Sequence, residues 1–303
     1  MHSPVRIGTR ASKLALAQTT LVQHLLKRET FVVPMTTSGD KILDIPLYDV
    51  GGKALFCKEL DHALLNNDVD IAVHSLKDVP TDLPQGLAIG AVLPRANSVD
   101  ALVSKHSLTL EALPKGSVIG TSSLRRQAQL LAKRPDLLVK SIRGNVPTRL
   151  QKLATEDFDA IILAMAGLER LNLTDHATQI FTADEMLPAA SQGVIAILYA
   201  EHRADIAAML APLNDAATAA CITAERAVLL ALEANCKTPV AAFAEINSEH
   251  SLTLRAFVSL EDGTQSYTAT ATGLPSDAFE MGKRVGHDLI AQAGIEFMKT
   301  VRR

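Results

Sequence analysis

The chain has no tryptophan, three tyrosines and only 4% aromatic residues, and its formal net charge is −3. A nucleic-acid surface needs a basic face and often stacking rings, so that partner class is set aside and any anion must be met locally. Cysteine is scarce as well: Cys57, Cys221 and Cys236 are an odd number at scattered spacing. This argues against a disulfide framework and suits a reducing compartment. No uninterrupted apolar run approaches bilayer length, and "MHSPVRIGTR" lacks the apolar stretch of an export signal. The expected location is therefore the cytoplasm, with no membrane association. There is no repeat at solenoid period and no low-complexity segment.

What is present is enough apolar material for a substantial core, 48% of 303 residues, and a length that suggests two or three domains. Through the first half, short β-rich runs alternate with helical patterns: "VRIGT" then "SKLALAQTTLVQHLLKR", "VDIAVHS", "SVIGT" then "SLRRQAQLLAKR", and "DAIILAMAG". Such alternation implies mostly parallel sheets flanked by helices. The pattern pauses near 94–101 and again near 187–194, which reads as a crossing into a second α/β domain and a return. The expected division is 1–95 with 192–212, then 96–191, then 213–303. The last part begins with a long helix from 216 and continues with three β-rich runs, with Asp262-Gly263 marking a hairpin turn, and a closing helix. That is a small α+β domain with an antiparallel sheet.

In α/β sheets, ligands meet the carboxyl ends of strands and the amino ends of the helices that follow. In "IGTRASKLALAQ" a strand ends at Arg10 and Ser12 is a good helix cap. In "IGTSSLRRQAQL", Ser122 or Ser123 caps a helix whose first turn holds Arg125 and Arg126. Cations there oppose the helix dipole unless an anion is near. "SIRGNVPTRL" adds Arg143 and Arg149, and Arg170 follows "AIILAMAG". Arginines at successive strand exits suggest a cleft that holds several carboxylates or phosphates. Lys77 and Asp78 end the strand in "DIAVHSLKDVP". Asp78 either neutralises an arginine or stabilises a cationic intermediate and moves protons. His74, inside that strand, reads as a satisfied core or edge histidine. The glycines in "YDVGGKALFCKEL" permit a mobile loop that brings Lys53 to an anionic substrate, or an ordinary connection. Cys57 and Cys221 read as core residues.

Taken together, "GTRASKLALAQ", "HSLKDVP", "GTSSLRRQ", "IRGNVPTRL", "LPAASQG", "TAERA" and the late Cys236 resemble hydroxymethylbilane synthase, also called porphobilinogen deaminase. The resemblance implies two periplasmic-binding-protein-like α/β domains plus a small C-terminal α+β domain carrying a cysteine on a loop. It implies head-to-tail condensation of four porphobilinogen molecules, with loss of ammonia, by a monomer that works on a dipyrromethane cofactor. On that pattern Cys236 holds the cofactor by a thioether, and Asp78 is catalytic. Lys77, Ser123, Arg125 and Arg126 meet the cofactor's carboxylates, and Arg10, Ser12, Arg143, Arg149 and Arg170 receive substrate and the growing chain. Three departures stand out: Ala234-Asn235 where the family has two glycines before the cysteine, Asp49 where many relatives have lysine, and Ala190-Ser191 where Val-Gly is usual. Asn235 is expected to take the left-handed conformation that ends the preceding helix. Two other readings remain open: an anion-binding module of periplasmic type, and a diverged, non-catalytic relative.

Overall fold

The structure is a computed structural model and describes residues 3–41, 56–235 and 237–302. Lys53, Asp49 and Cys236 lie outside the described residues. The central apolar runs "IAVHS" and "AIILA" become strands buried along most of their length, as expected of parallel strands covered by helices. β1 (Val5–Arg10), β2 (Thr30–Met35), β3 (Ile71–Ser75), β4 (Leu87–Val92) and β10 (Ile195–Ala200) form one sheet in the order β2-β1-β3-β10-β4. Crossovers are supplied by α1 (Lys13–Leu26), and by α2 (Ser38–Lys41) and α3 (Lys58–Leu65).

The second sheet holds β5 (Asp100–Ser104), β6 (Val118–Gly120), β7 (Leu138–Lys140), β8 (Ala160–Ala164) and β9 (Gln179–Ile180), in the order β7-β6-β8-β5-β9. Its helices are α4 (Leu124–Lys133), α5 (Val146–Thr155) and α6 (Met165–Arg170). The two sheets share one plan. Each has four strands running the same way and one reversed, β10 in the first and β5 in the second. The reversed strand is the first one after the chain passes from one sheet to the other, so it arrives without a helical crossover and runs antiparallel to its neighbours. Gly193, just before β10, has φ of +88°, and a Cβ there would lie 2.6 Å from the Ala96 carbonyl oxygen. The two passing segments touch at that point, which only glycine allows.

After α7 (Ala204–Leu210), α8 (Ala216–Ala231) leads to the antiparallel sheet of β11 (Val240–Ile246), β12 (Leu252–Ser259) and β13 (Ser266–Gly273). α9 (Ala278–Ala293) packs beside α8 on one face of that sheet, around Val228, Leu254, Val285 and Leu289, and α10 (Ile295–Val301) closes the chain. The hairpin turn falls at Asp262-Gly263 as expected. Gly263 has φ of +71° and lies so close to Ala128 and Ala132 of α4 that a side chain would not fit. No single helix among the described residues is long and apolar enough to cross a bilayer.

Candidate active site: a cationic cleft at the strand carboxyl ends

The carboxyl ends of both parallel sets open onto one cleft of about 540 Å³. Its first wall is local in origin. Arg10 ends β1, and Ser12 caps α1 by accepting from the Ala15 N–H at 3.3 Å. Ser75 ends β3 and the chain turns at once through a short 3₁₀ segment, Leu76–Asp78, which aims Lys77 and Asp78 at the cleft. Arg10 stacks over the Phe56 ring at 4.3 Å and lies 3.9 Å from Asp78 Oδ2.

The facing wall repeats the device. Asn145 caps α5 by accepting from the Thr148 N–H at 3.0 Å, which sets Arg149 in the first turn, where its Nε donates to the Gly144 carbonyl at 2.8 Å. Arg143 sits just before that cap and donates to the Gly39 carbonyl at 3.3 Å, across to the first wall. Arg170 ends α6 and donates to the Gly193 carbonyl at 2.7 Å. Among the described residues that line the cleft, seven are basic and Asp78 is the one carboxylate. Phe56 and Lys152 join the lining without having been singled out in the sequence.

Arg125 and Arg126 are placed differently. Ser123 caps α4 by accepting from the Arg126 N–H at 3.5 Å, and both guanidiniums turn inward to Asp100, which is 0% exposed. Arg125 donates to Asp100 Oδ2 and Arg126 to Oδ1, each at 2.7 Å. Arg126 still lines the cleft, whereas Arg125 and Ser123 do not. The anion demanded by cations at a helix amino end is thus the protein's own. Gln192 ties this pair to the first wall: its Nε2 donates to Asp100 at 2.9 Å, and its Oε1 accepts from the Lys77 ammonium at 3.2 Å.

Burial alone would raise the Asp100 carboxyl, but Arg125 and Arg126 hold it far below the usual carboxylate range. Arg149 is pulled down to about 10, first by burial and then by Arg126 and Arg143, which marks a cation short of a counter-charge. Burial, then Arg126, pulls Lys77 down to about 8, although part of this residue remains open to the cleft, where water moderates the shift.

Behind the cleft the two passing segments are clamped by a second buried pair. Arg95 meets Glu225 of α8 with both forks, at 2.7 and 2.8 Å, and Glu225 also accepts from the Ser191 and Ala244 N–H groups. Glu225 lies within the "TAERA" stretch, whose glutamate carries no role in the sequence reading. Cys57 and Cys221 are buried, as expected of core cysteines, and burial raises both thiols, Cys221 to about 11. His74 departs from expectation in one respect. It is buried, but its Nε2 has no hydrogen-bond partner among the described residues.

Around Cys236 the left-handed residue is Glu233, with φ of 49°, and not Asn235. The helix ends two residues earlier than the glycine pattern suggests, because Ala234 N–H already reaches back to the Leu229 carbonyl. Asn235 serves through its side chain instead: its Oδ1 accepts from the Lys237 N–H at 2.7 Å, joining the two neighbours of Cys236.

Fold and site together define a two-lobed α/β protein with a cation-lined cleft and a small α+β appendage. The family profile described as "Porphobilinogen deaminase, dipyromethane cofactor binding domain" matches residues 5–208, and "Porphobilinogen deaminase, C-terminal domain" matches 219–291. The porphobilinogen deaminase of Brevibacillus brevis is 43% identical over 98% of this chain and 97% of its own length. That of a Geobacillus species is 46% identical over 94% and 93%. The chain belongs to the porphobilinogen deaminase family. Among solved structures it is loosely similar to the Escherichia coli periplasmic aliphatic sulphonate-binding protein SsuA, at 13% identity and TM-score 0.40 over 77% of this chain and 71% of that one. A periplasmic solute-binding protein of Desulfovibrio salexigens gives 13% and 0.43 over 70% and 72%.

Proposed function

We propose that the protein condenses porphobilinogen head to tail into linear hydroxymethylbilane, releasing one ammonia per unit, as a monomeric cytoplasmic enzyme of tetrapyrrole synthesis. The observation that carries this reading is a lone carboxylate, Asp78, among cations contributed by both sheets. The two sheets and the appendage support a division into 1–95 with 192–212, 96–191 and 213–303.

A dipyrromethane has four carboxylates and two pyrrole N–H groups, and the donor set fits it: basic side chains for the carboxylates and one acceptor for the N–H groups. Lys77 and Arg126 hold it, Ser123 and Arg125 act from behind by capping α4 and fixing Asp100, and Cys236 anchors it through a thioether. When bound, it supplies the pyrrole carbon to which units are added. Arg10, Ser12, Arg143, Arg149 and Arg170 grip the carboxylates of incoming substrate and growing chain, with Lys53 as a further cation for them. Asp78 accepts the substrate pyrrole N–H and stabilises the positive charge that spreads over the ring as its C–N bond breaks. Arginine suits the remaining task, because its fork binds carboxylates two bonds at a time and stays charged when partly buried.

The test is the intact mass of protein from a porphobilinogen-producing host, followed by incubation with porphobilinogen. We expect a mass above the sequence value by two linked pyrrole units, absent in Cys236→Ser, and a linear tetrapyrrole product. A bare mass with no product from folded protein overturns the reading.

A further inference from the structure

Asp78 is the last residue of a single 3₁₀ turn, and so short a turn is only as firm as the chain on either side of it. On the entering side the hold is strong. Ser75 pairs with Ile195 at the end of β3, and the Leu76 N–H donates to the Val194 carbonyl at 2.9 Å. On the leaving side the chain runs through "VPTD", residues 79–82, after one closing bond from the Val79 N–H to the Leu76 carbonyl at 3.0 Å. Pro80 has no N–H to give. No backbone N–H among the described residues reaches the carbonyls of Val79, Pro80 or Thr81.

One side chain takes all three. Arg226 of α8 donates through Nη1 to the Val79 carbonyl at 3.2 Å, and through Nη2 to those of Pro80 at 2.5 Å and Thr81 at 3.0 Å. Arg226 follows Glu225 in "TAERA" and forms no ion pair among the described residues. A charged fork committed to three neutral oxygens fixes a backbone path, a task for which a planar guanidinium with five donors is suited and a lone ammonium is not. The helix face around it agrees. Ala219, Ile222 and Arg226 lie at i, i+3 and i+7 on α8, and Ile222 belongs to the same buried cluster as Leu76 and Val79. A weaker hold comes from the Cys57 thiol, which donates to the Asp78 carbonyl at 3.4 Å.

We propose that Arg226 is a positioning residue for the reaction: by gripping the 79–81 carbonyls it fixes the turn that aims the Asp78 carboxylate, so the helix leading to Cys236 also sets the catalytic carboxylate. The proposal rests on the deaminase reading. Arg226 is not among the residues lining the cleft, so it acts through Asp78. A carboxylate that stabilises developing charge must be in place before the charge forms, and a displacement of about 1 Å costs on the order of a hundredfold in rate.

The experiment uses the cofactor-loaded enzyme. In Arg226→Met, kcat should fall about a hundredfold while the KM for porphobilinogen changes less than about twofold, with the cofactor mass retained. Arg226→Lys, which keeps the charge and the stem but loses the fork, should recover only a small part. In an Asp78→Asn background there is no carboxylate to aim, so adding Arg226→Met should cost less than about twofold more. Amide exchange, read independently of turnover, should quicken in the peptide spanning 76–83 of Arg226→Met and stay as in wild type along β1 and β10. An unchanged kcat, a rise in KM alone, equal losses in both backgrounds or unchanged exchange at 76–83 overturns the inference. If wild type gives no product, the deaminase reading fails instead. Should Arg226→Met not fold, Arg226→Lys carries the same comparisons.

Discussion

The arginines of this protein form two layers that differ in what neutralises them. In the lower layer Arg125 and Arg126 share the buried carboxylate of Asp100, and Arg95 shares that of Glu225. In the upper layer, Arg149 and Arg170 donate to backbone carbonyls and form no ion pair among the described residues. Arg126 and Arg149 both lie near the amino end of a helix, yet the first has an internal carboxylate and the second has none among the described residues. Asp100 with its two arginines braces the second lobe from within, and Arg95 with Glu225 ties the crossing segment to α8, whereas Arg149 and Arg170 keep their charge at the cleft.

The largest effect expected from breaking this contrast is in the lower layer. Asp100→Asn leaves two buried guanidiniums without a counter-charge and should destabilise the fold by about 3–5 kcal/mol, read from the urea midpoint. A loss below about 1 kcal/mol would mean that Arg125 and Arg126 are not held by this carboxylate. Next is a buried group with no charged partner at all. The His74 ring binds a proton near 6.5 when free but at about 4 in the fold, so the unfolded state takes up the proton first. Stability is intact above about 6.5 and falls as pH drops towards 4, by roughly 3 kcal/mol at about 1.4 per unit. His74→Gln should flatten that part of the pH–stability curve, whereas a curve unchanged from wild type would place the imidazole in contact with water. For the upper layer the effect moves from stability to activity. Arg149→Gln should change stability by less than about 1 kcal/mol, since it removes an unpaired buried cation, but should lower kcat/KM about a hundredfold by removing a charge-assisted carboxylate contact. Equal losses of stability and activity would return Arg149 to the structural layer.

The upper layer was legible in the sequence because its parts are local. A strand end, a capping serine or asparagine and an arginine within a few residues are enough to aim Arg10, Arg143 and Arg149 at one edge of a sheet. The lower layer was not, because Asp100 meets Arg125 and Arg126 only through pairing between β5 and β8, and nothing near "NSVDA" signals that. Glu225 is hidden for the same reason, its partners lying 130 residues back at Arg95 and on another element at Ala244. His74 was read as a satisfied core or edge histidine; it is buried, but its unmet Nε2 and its contact with the Cys57 thiol just before α3 are signalled by no strand pattern. The turn before Cys236 shows the limit of residue preference: asparagine tolerates the left-handed region, yet Glu233 occupies it because the helix geometry ends there first.

The smallest effect concerns strain that the lower layer keeps in place. Ser191 has φ of 62°, is buried, and its Oγ has no partner, while its N–H donates to Glu225 at 2.6 Å. This is the position where the family pattern has glycine. A left-handed non-glycine residue is unfavourable by about 1–2 kcal/mol, and glycine's greater freedom when unfolded offsets about 0.5–1 of the relief. Ser191→Gly should therefore stabilise by about 1 kcal/mol. Ser191→Ala, which drops the unmet hydroxyl but keeps the Cβ, separates the two contributions and should gain less than glycine. If glycine gains no more than alanine, the backbone at 191 is not strained, and the hold of Glu225 on this crossing is correspondingly weaker than its hydrogen bonds suggest.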